Sequence, residues 1–379
     1  MKVQIKHTNL ARALAIVGRM VRQRATLPVL SNILIASDKG RLKLAATDLE
    51  SAVSVWIGAK IDEEGAITLP ARTLTDYIAS ASDESIELSG RGSDILIKSE
   101  RYKATIKGIA AEEFPIIAQV KSENSVFVGA SDLKTAILST AVAAATDETR
   151  PVLAGLLFRI KGEQVKIVAT DSYRLAEATI KSSKAAEPLE FIIPARTAAE
   201  LGRILPASAQ GESASSADGS ADGSQVEIAV GDNQAEFKFA DVQFLSRQIE
   251  GAFPDYEQII PKEFVYQFEV SKASFNEAIR AAAVIARDAG NNIKLACLQN
   301  SIVISAMAAQ VGDAEASLQV GSSGEPLTIA FNAKYILDAL SILSDETLNF
   351  AFSGALSASL ISSKGDSGFR YVIMPLRSE

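Results

Sequence analysis

The sequence holds one histidine, His7, and one cysteine, Cys297, in 379 residues. A lone histidine excludes a histidine-built metal cluster and leaves no convincing serine–histidine–aspartate triad. His7 stands just before an amphipathic stretch and reads as a surface residue or as the start of a helix. A lone cysteine excludes a disulfide framework within the chain, and its setting in the apolar run KLACL favours a small buried hydrophobe over a reactive thiol. No apolar run approaches the roughly 18 residues of a membrane span, and the start MKVQIKHTNL lacks the apolar core of a signal peptide, so no membrane association is expected and the cytoplasm is. A phosphate-cradling glycine loop, zinc-ligand spacing and a nucleophile elbow are also missing. Adjacent acids do occur, at Asp62-Glu63-Glu64 and Glu112-Glu113. Such groups in turns are ordinarily solvated, so an enzyme is the weaker class and neither cofactor nor metal is expected.

What is present is ordinary globular material. Hydrophobic residues make up 47% and charged residues 22% of the chain, enough for several cores. At roughly 100 to 200 residues per domain, the length suggests two or three domains. The formal net charge of -8 argues against nucleic acid as a whole. Distribution matters more than the total, because an acidic exterior can coexist with cations gathered on one surface.

Internal repetition is the informative feature. Apolar residues at Leu10, Leu14, Val17 and Val21 have the spacing of one helical face, following the alternating strand VQIK. A counterpart begins Asp132-Leu133-Lys134-Thr135-Ala136-Ile137, displaced by 123 from Leu10 to Leu133, and a third reads Ser274-Phe275-Asn276-Glu277-Ala278-Ile279. Pro28-Val29-Leu30 recurs as Pro151-Val152-Leu153 and Thr47-Asp48 as Thr170-Asp171, both again displaced by 123. Leu69-Pro70-Ala71-Arg72-Thr73 matches Ile193-Pro194-Ala195-Arg196-Thr197, with a degenerate third copy in Phe331-Asn332-Ala333-Lys334-Tyr335, and each opens a short amphipathic helix. Phe114-Pro115 answers Phe253-Pro254 at a displacement of 139. The extra length is the Ser/Ala/Asp/Gly-rich stretch 206–225, expected as a flexible surface loop. Short strands are predicted at 33–36, 41–45, 52–57, 85–89 and 94–98, with turns at Asp38-Lys39-Gly40 and Gly90-Arg91-Gly92. Each repeat reads as two helices and about eight strands, an α+β domain with its helices packed on antiparallel sheets. Tandem copies leave unpaired edge strands at the two ends, which invites closure into a ring.

The segments RATLPVLSNIL, TDLE, LPAR, TDSYRLA, FPDYEQIIP and YVIMPLR, in this order on a threefold repeat, make the chain similar along its whole length to the bacterial DNA polymerase β sliding clamps. The resemblance implies three tandem DNA-clamp domains, at 1–121, 122–261 and 262–379, and a head-to-tail homodimer closing into a ring of six domains around duplex DNA. The implied role is a processivity factor that catalyses nothing. Its implied partners are the replicative polymerase subunit, the clamp loader, other polymerases and mismatch-repair or replication-regulating proteins, bound through short linear motifs.

Three surfaces follow. Opposite the first apolar stripe lie Arg12, Arg19 and Arg22, with Arg24 in the turn beyond. Arg72, Arg196 and Lys334 occupy one position at the start of the second helix of each repeat, Arg203 lies seven residues past Arg196, and Arg280 and Arg287 share a face. By resemblance Arg24 and Arg72 approach phosphates, and Arg150 sits in a loop touching tilted duplex or the primed-template single strand. Pro151 and Val152 follow it where relatives have aromatics. Contacts of this kind are with the backbone, salt-sensitive and blind to base sequence. The second surface is a peptide pocket implied by resemblance at Leu153, Thr170, Ser172, Tyr173, Arg174, Leu175, Pro254, Ile259, Asn332, Tyr335, Leu356, Met374, Pro375 and Leu376. An aliphatic groove with a methionine wall suits the leucine and phenylalanine of an extended motif, and a few polar groups suit a leading glutamine. Gln258 replaces an arginine of the family pattern, and the tail runs on as Ser378-Glu379. The third surface is the dimer seam, with Arg101, Lys103, Ala104 and Ile106 on one side, Val284 and Ile285 on the other, and Asp313 and Glu315 as acidic candidates.

A peptide-binding repeat scaffold without nucleic acid is the remaining competitor. It would share the pocket and lack the arginine faces.

Overall fold

The computed structural model describes residues 1–22, 27–81, 83–118, 120, 125–147, 149–206, 225–363 and 368–376. Each repeat contributes two helices: α1 (His7–Val17) and α2 (Ala71–Ser80), α3 (Ala130–Ala141) and α4 (Ala195–Ile204), α5 (Lys272–Ala286) and α6 (Ala333–Ile342). The predicted stripe of α1 is largely right: Leu10, Leu14 and Val17 are buried, with Ala13 beside them. Val21 falls outside the helix, because α1 gives way at Gly18 to the 3₁₀ turn Gly18–Met20, and glycine is a poor helix residue. His7 is the first residue of α1, and its ring Nε2 donates to the Ile78 carbonyl near the end of α2 at 2.8 Å. Lys272, first in α5, likewise donates to the Leu343 carbonyl just past α6. A bond of the same kind joins the two helices of repeat two, where Lys134 on α3 donates to the Leu205 carbonyl just past α4 at 2.9 Å.

The predicted strands appear as Asn32–Asp38, Arg41–Thr47, Ser51–Ile57, Ser85–Arg91 and Asp94–Lys98. Among the described residues, repeats one and three have nine strands each and repeat two has six. Repeat two has fewer because two of its strands run on, as Gly155–Thr170 and Arg174–Pro194. Gln225, expected at the end of the insertion, opens the strand Gln225–Val230; residues 207–224 lie outside the described residues.

By contact the chain divides into two compact units rather than three. One comprises Met1–Lys134, Ser182–Ala186 and Glu200–Gln248, the other Thr135–Lys181, Glu187–Ala199 and Ile249–Glu379. Strand pairing explains the cut through repeat two. In the first unit Ser51–Ile57 of repeat one pairs antiparallel with Val242–Arg247 of repeat two, Val53 opposite Phe244. In the second unit Arg174–Ala178 of repeat two pairs with Phe369–Ile373 of repeat three, Leu175 opposite Val372. Backbone ladders thus seal both repeat junctions.

The Thr-Asp motif builds the same hairpin turn twice. Thr47 and Thr170 donate their hydroxyls to the carbonyls four residues on, at 2.8 and 2.7 Å. Asp48 and Asp171 accept from the backbone N–H groups two and three residues on. Leu49 and Ser172, one residue past the aspartate, both take positive φ, 74° and 79°. Non-glycine residues rarely hold that conformation, so its recurrence reflects the aspartate turn that enforces it.

Each unit leaves several edge strands, and one in each bears on the expected seam. In the first it is Lys103–Lys107, at the end of a five-stranded sheet that runs back through Asp94–Lys98. In the second it is Gly312–Gln319, beside Ser301–Ala308 in a four-stranded sheet.

Candidate functional site

The predicted pocket residues all fall in the second unit, most of them around the turn at 170–174. The Arg174 guanidinium, 8% exposed, reaches Asp338 on α6 through Nη1 and donates to the Tyr371 hydroxyl at 3.2 Å and to Asp171 at 3.0 Å. It also lies 4.4 Å from the Tyr335 ring, which stacks near Tyr173. Burial alone would lower the Arg174 pKa, but Tyr371, Asp338 and Asp171 outweigh it and raise the value. Tyr371, pushed up chiefly by burial, keeps its proton and donates to the Tyr335 carbonyl at 3.0 Å. Asp338 and Tyr371 were not singled out from the sequence. Asp338, three residues past Tyr335 on one helix face, was the findable one.

The tail crosses this turn. The Met374 N–H donates to the Tyr173 carbonyl and the Leu376 N–H to the Ala330 carbonyl, each at 2.8 Å. Met374, Pro375 and Leu376 are half-buried. Tyr173, Leu356 and Ile259 are exposed, at 57%, 70% and 42%, and Pro254 is exposed as well. Leu153, Thr170 and Leu175 are buried, and Leu175 belongs to a core with Leu157, Val168, Phe253 and Tyr256. These three belong to the packed interior and not to the surface. The Asn332 side chain caps α6 by accepting from the Lys334 N–H, which leaves its amide NH₂ as its donor. Gln258 donates to Asp255 at 2.6 Å.

The cationic residues are placed as their repeat positions require. Arg72, Arg196 and Lys334 are each the second residue of their helix, and all are exposed. Among the described residues, Arg12, Arg196 and Lys334 have no ion pair. Arg72 pairs loosely with Asp76 at 3.7 Å, Arg19 with Glu200 at 3.6 Å, and Arg203 also meets Glu200. Arg280 donates to Asn276 and Arg287 is exposed. Arg22 differs from its prediction: it is held by Asp48 at 2.6 Å and Glu50 at 3.1 Å, outside α1. Arg150 donates to Ser172 at 3.0 Å, so it is anchored on the turn at 170–174. Arg24 lies outside the described residues.

At the expected seam, Lys103 is exposed, Ala104 half-buried and Ile106 buried on the edge strand. Arg101 is bound to Asp83 at 2.8 Å. Hydrogen bonds from Ser99, then from the Arg101 backbone and guanidinium, hold the Asp83 carboxyl at about 2. Val284 is 62% exposed on α5 and Ile285 half-buried, while Asp313 and Glu315 are exposed on the other edge strand.

Sequence models of the DNA polymerase III beta subunit match the chain three times: the N-terminal domain at 1–118, the central domain at 128–255 and the C-terminal domain at 257–377. A beta sliding clamp of Caulobacter vibrioides is 31% identical over 385 aligned positions, covering all of both chains. The chain belongs to the bacterial DNA polymerase III beta subunit, or beta sliding clamp, family. A beta sliding clamp of Staphylococcus aureus is 28% identical and covers 95% of each chain. Among solved structures, the sliding clamp of Bacillus subtilis superposes over both full chains with TM-score 0.91 at 26% identity. That of Pseudomonas aeruginosa, bound to griselimycin, does so with TM-score 0.91 at 28% identity. The fold is therefore three tandem clamp domains. Among the described residues no helix is long and apolar enough to cross a membrane, and no group of three or more His, Cys, Asp or Glu is placed to hold a metal.

Proposed function

We propose a division of labour among three surfaces of a ring made by two copies of the chain. As a clamp-family member the chain is a sliding clamp: a non-catalytic processivity factor that encircles duplex DNA and tethers polymerases, clamp loader and repair proteins through a peptide pocket. It works in the cytoplasm, with domains at 1–121, 122–261 and 262–379. Arg12, Arg19, Arg24, Arg72, Arg196, Arg203, Arg280 and Lys334 face the duplex, with Arg150 beside the primed-template strand. The observation that carries this is the exposed cation at the second position of α2, α4 and α6. Surface cations with no structural work would have no reason to keep one position through three diverged repeats.

Peptides dock against Tyr173, Arg174, Pro254, Ile259, Tyr335, Leu356 and the tail Met374–Leu376, over the floor of Leu153, Thr170 and Leu175. Ser172 and Asn332 supply polar groups at its edge. The seam joins Lys103–Lys107, with Arg101 beside it, to Gly312–Gln319 of a second copy. Ala104 and Ile106 meet an apolar side that includes Val284 and Ile285, and lysines face Asp313 and Glu315 at the rim.

The deciding experiment loads the protein on nicked circular DNA and then linearises the circle. Retention on the circle with release on cutting is expected, because a ring is held by linkage and not by affinity. Equal behaviour on both forms would leave a peptide-binding scaffold as the better reading. Removing Met374 onward should abolish polymerase binding while the dimer persists, since the strand Phe369–Ile373 that seals the junction stays intact.

A further inference from the structure

The segment from Phe253 to Ile260 brings Pro254 and Ile259 to the peptide groove, so its placement sets the groove's shape. Two aromatic side chains hold it. Phe253 is buried in the core with Leu157, Val168 and Val372, as Phe114 is buried with Val29, Leu30 and Ala45 in repeat one. Tyr256 is different. Its ring is fully buried, its hydroxyl donates to Glu177 at 2.9 Å, and the Arg159 guanidinium lies 5.2 Å from its ring centre. Glu177 is itself 2% exposed, and it meets Lys166 at 3.5 Å and Arg370 at 3.8 Å. Lys166 and Arg159 turn also to Glu257, the next residue along the segment. Burial first, and the Glu177 carboxylate second, push the Tyr256 phenol up, so it remains a donor.

Repeat one is an internal control. The 123-residue displacement carries Glu177 onto Ser54, and the 139-residue displacement carries Tyr256 onto Ile117. Ser54 is 1% exposed, and its hydroxyl has no hydrogen-bond partner. The same hairpin, the same junction ladder and the same buried phenylalanine therefore form without any tyrosine–carboxylate bond. The fold does not require the bond, and it occurs in the repeat whose connecting segment carries groove residues. We propose that Tyr256 and Glu177 form a latch that fixes the Phe253–Ile260 segment and so positions Pro254 and Ile259 for peptide binding.

The proposal rests on the reading of the groove given above, and both are tested on the full-length protein. The probe is a fluorescein-labelled synthetic peptide bearing a leading glutamine followed by leucine and phenylalanine, read by anisotropy. Tyr256→Phe, which keeps the ring and removes the hydroxyl, should weaken binding by about tenfold, with native mass unchanged. Glu177→Gln, whose amide oxygen still accepts from Tyr256, should restore most of the affinity lost in Glu177→Ala. In an Ile259→Ala background the Tyr256→Phe loss should shrink to about half or less of its size on a logarithmic scale, because the latch acts in part through that residue. Wild-type affinity in Tyr256→Phe, or an undiminished loss in the Ile259→Ala background, would overturn the latch. If unsubstituted protein bound the peptide equally well after removal of Met374 onward, the groove assignment itself would fail instead.

Discussion

Arg174 shows how one position acquires a role that its neighbours in the chain do not announce. Its repeat-one counterpart, Ser51, bonds within its own turn, whereas Arg174 spans from that turn to Asp338 and Tyr371. Removing one partner from a buried charge network leaves the others poorly compensated. Arg174→Ala should therefore cost about 3 kcal/mol, read as a lower urea midpoint, and should weaken the labelled peptide as well. Asp83 makes a second prediction. Its folded pKa of about 2 lies below the unfolded carboxylate value, so its contribution is full above about pH 4 and lost as pH falls toward 2. Urea unfolding across that window should show a shallower acid loss in Asp83→Asn than in the unsubstituted protein. An identical slope would mean that Asp83 is not the group responsible.

At the scale of elements, a connecting segment folds back on its own repeat three times. Ile109 bridges Thr68, the Ile249 N–H donates to the Ile192 carbonyl, and Leu376 bridges Ala330. The tail Met374–Leu376 is the third copy of this connection. Repeats one and two then place a phenylalanine, Phe114 and Phe253, in a buried cluster. Strand register puts Lys294 and Ser305 where repeat one has Leu34 and Ala45. The two edge strands yield the prediction at this scale. Charge reversal by Asp313→Lys with Glu315→Lys should weaken the dimer by at least about tenfold at low salt, measured by sedimentation, because like charges would then face Lys103 and Lys107. No change in dimer mass would place the seam elsewhere.

For the whole molecule, closure requires a native mass of twice 40.1 kDa. Affinity for short open duplexes should weaken as salt rises, and Arg72→Ala with Arg196→Ala and Lys334→Ala should lower retention on them without changing release from a cut circle. A change in the topological step instead would assign these residues to ring closure. Much of this was legible in the chain. The displacement of 123 carried the first-helix stripe and the Thr-Asp turns from repeat one to repeat two, and the matching Pro-Ala-Arg and Asn-Ala-Lys segments carried the second-helix starts and the cation positions. These are local features, encoded by a few adjacent residues and so readable from order alone. Other features depend on residues far apart in sequence. That Arg22 is spent on Asp48 and Glu50, that Arg150 rests on Ser172, that Arg174 finds Asp338 and that Tyr256 finds Glu177 were decided by packing. Side chains separated by dozens of residues meet only after the strands have registered, and burial then determines which polar groups must pair.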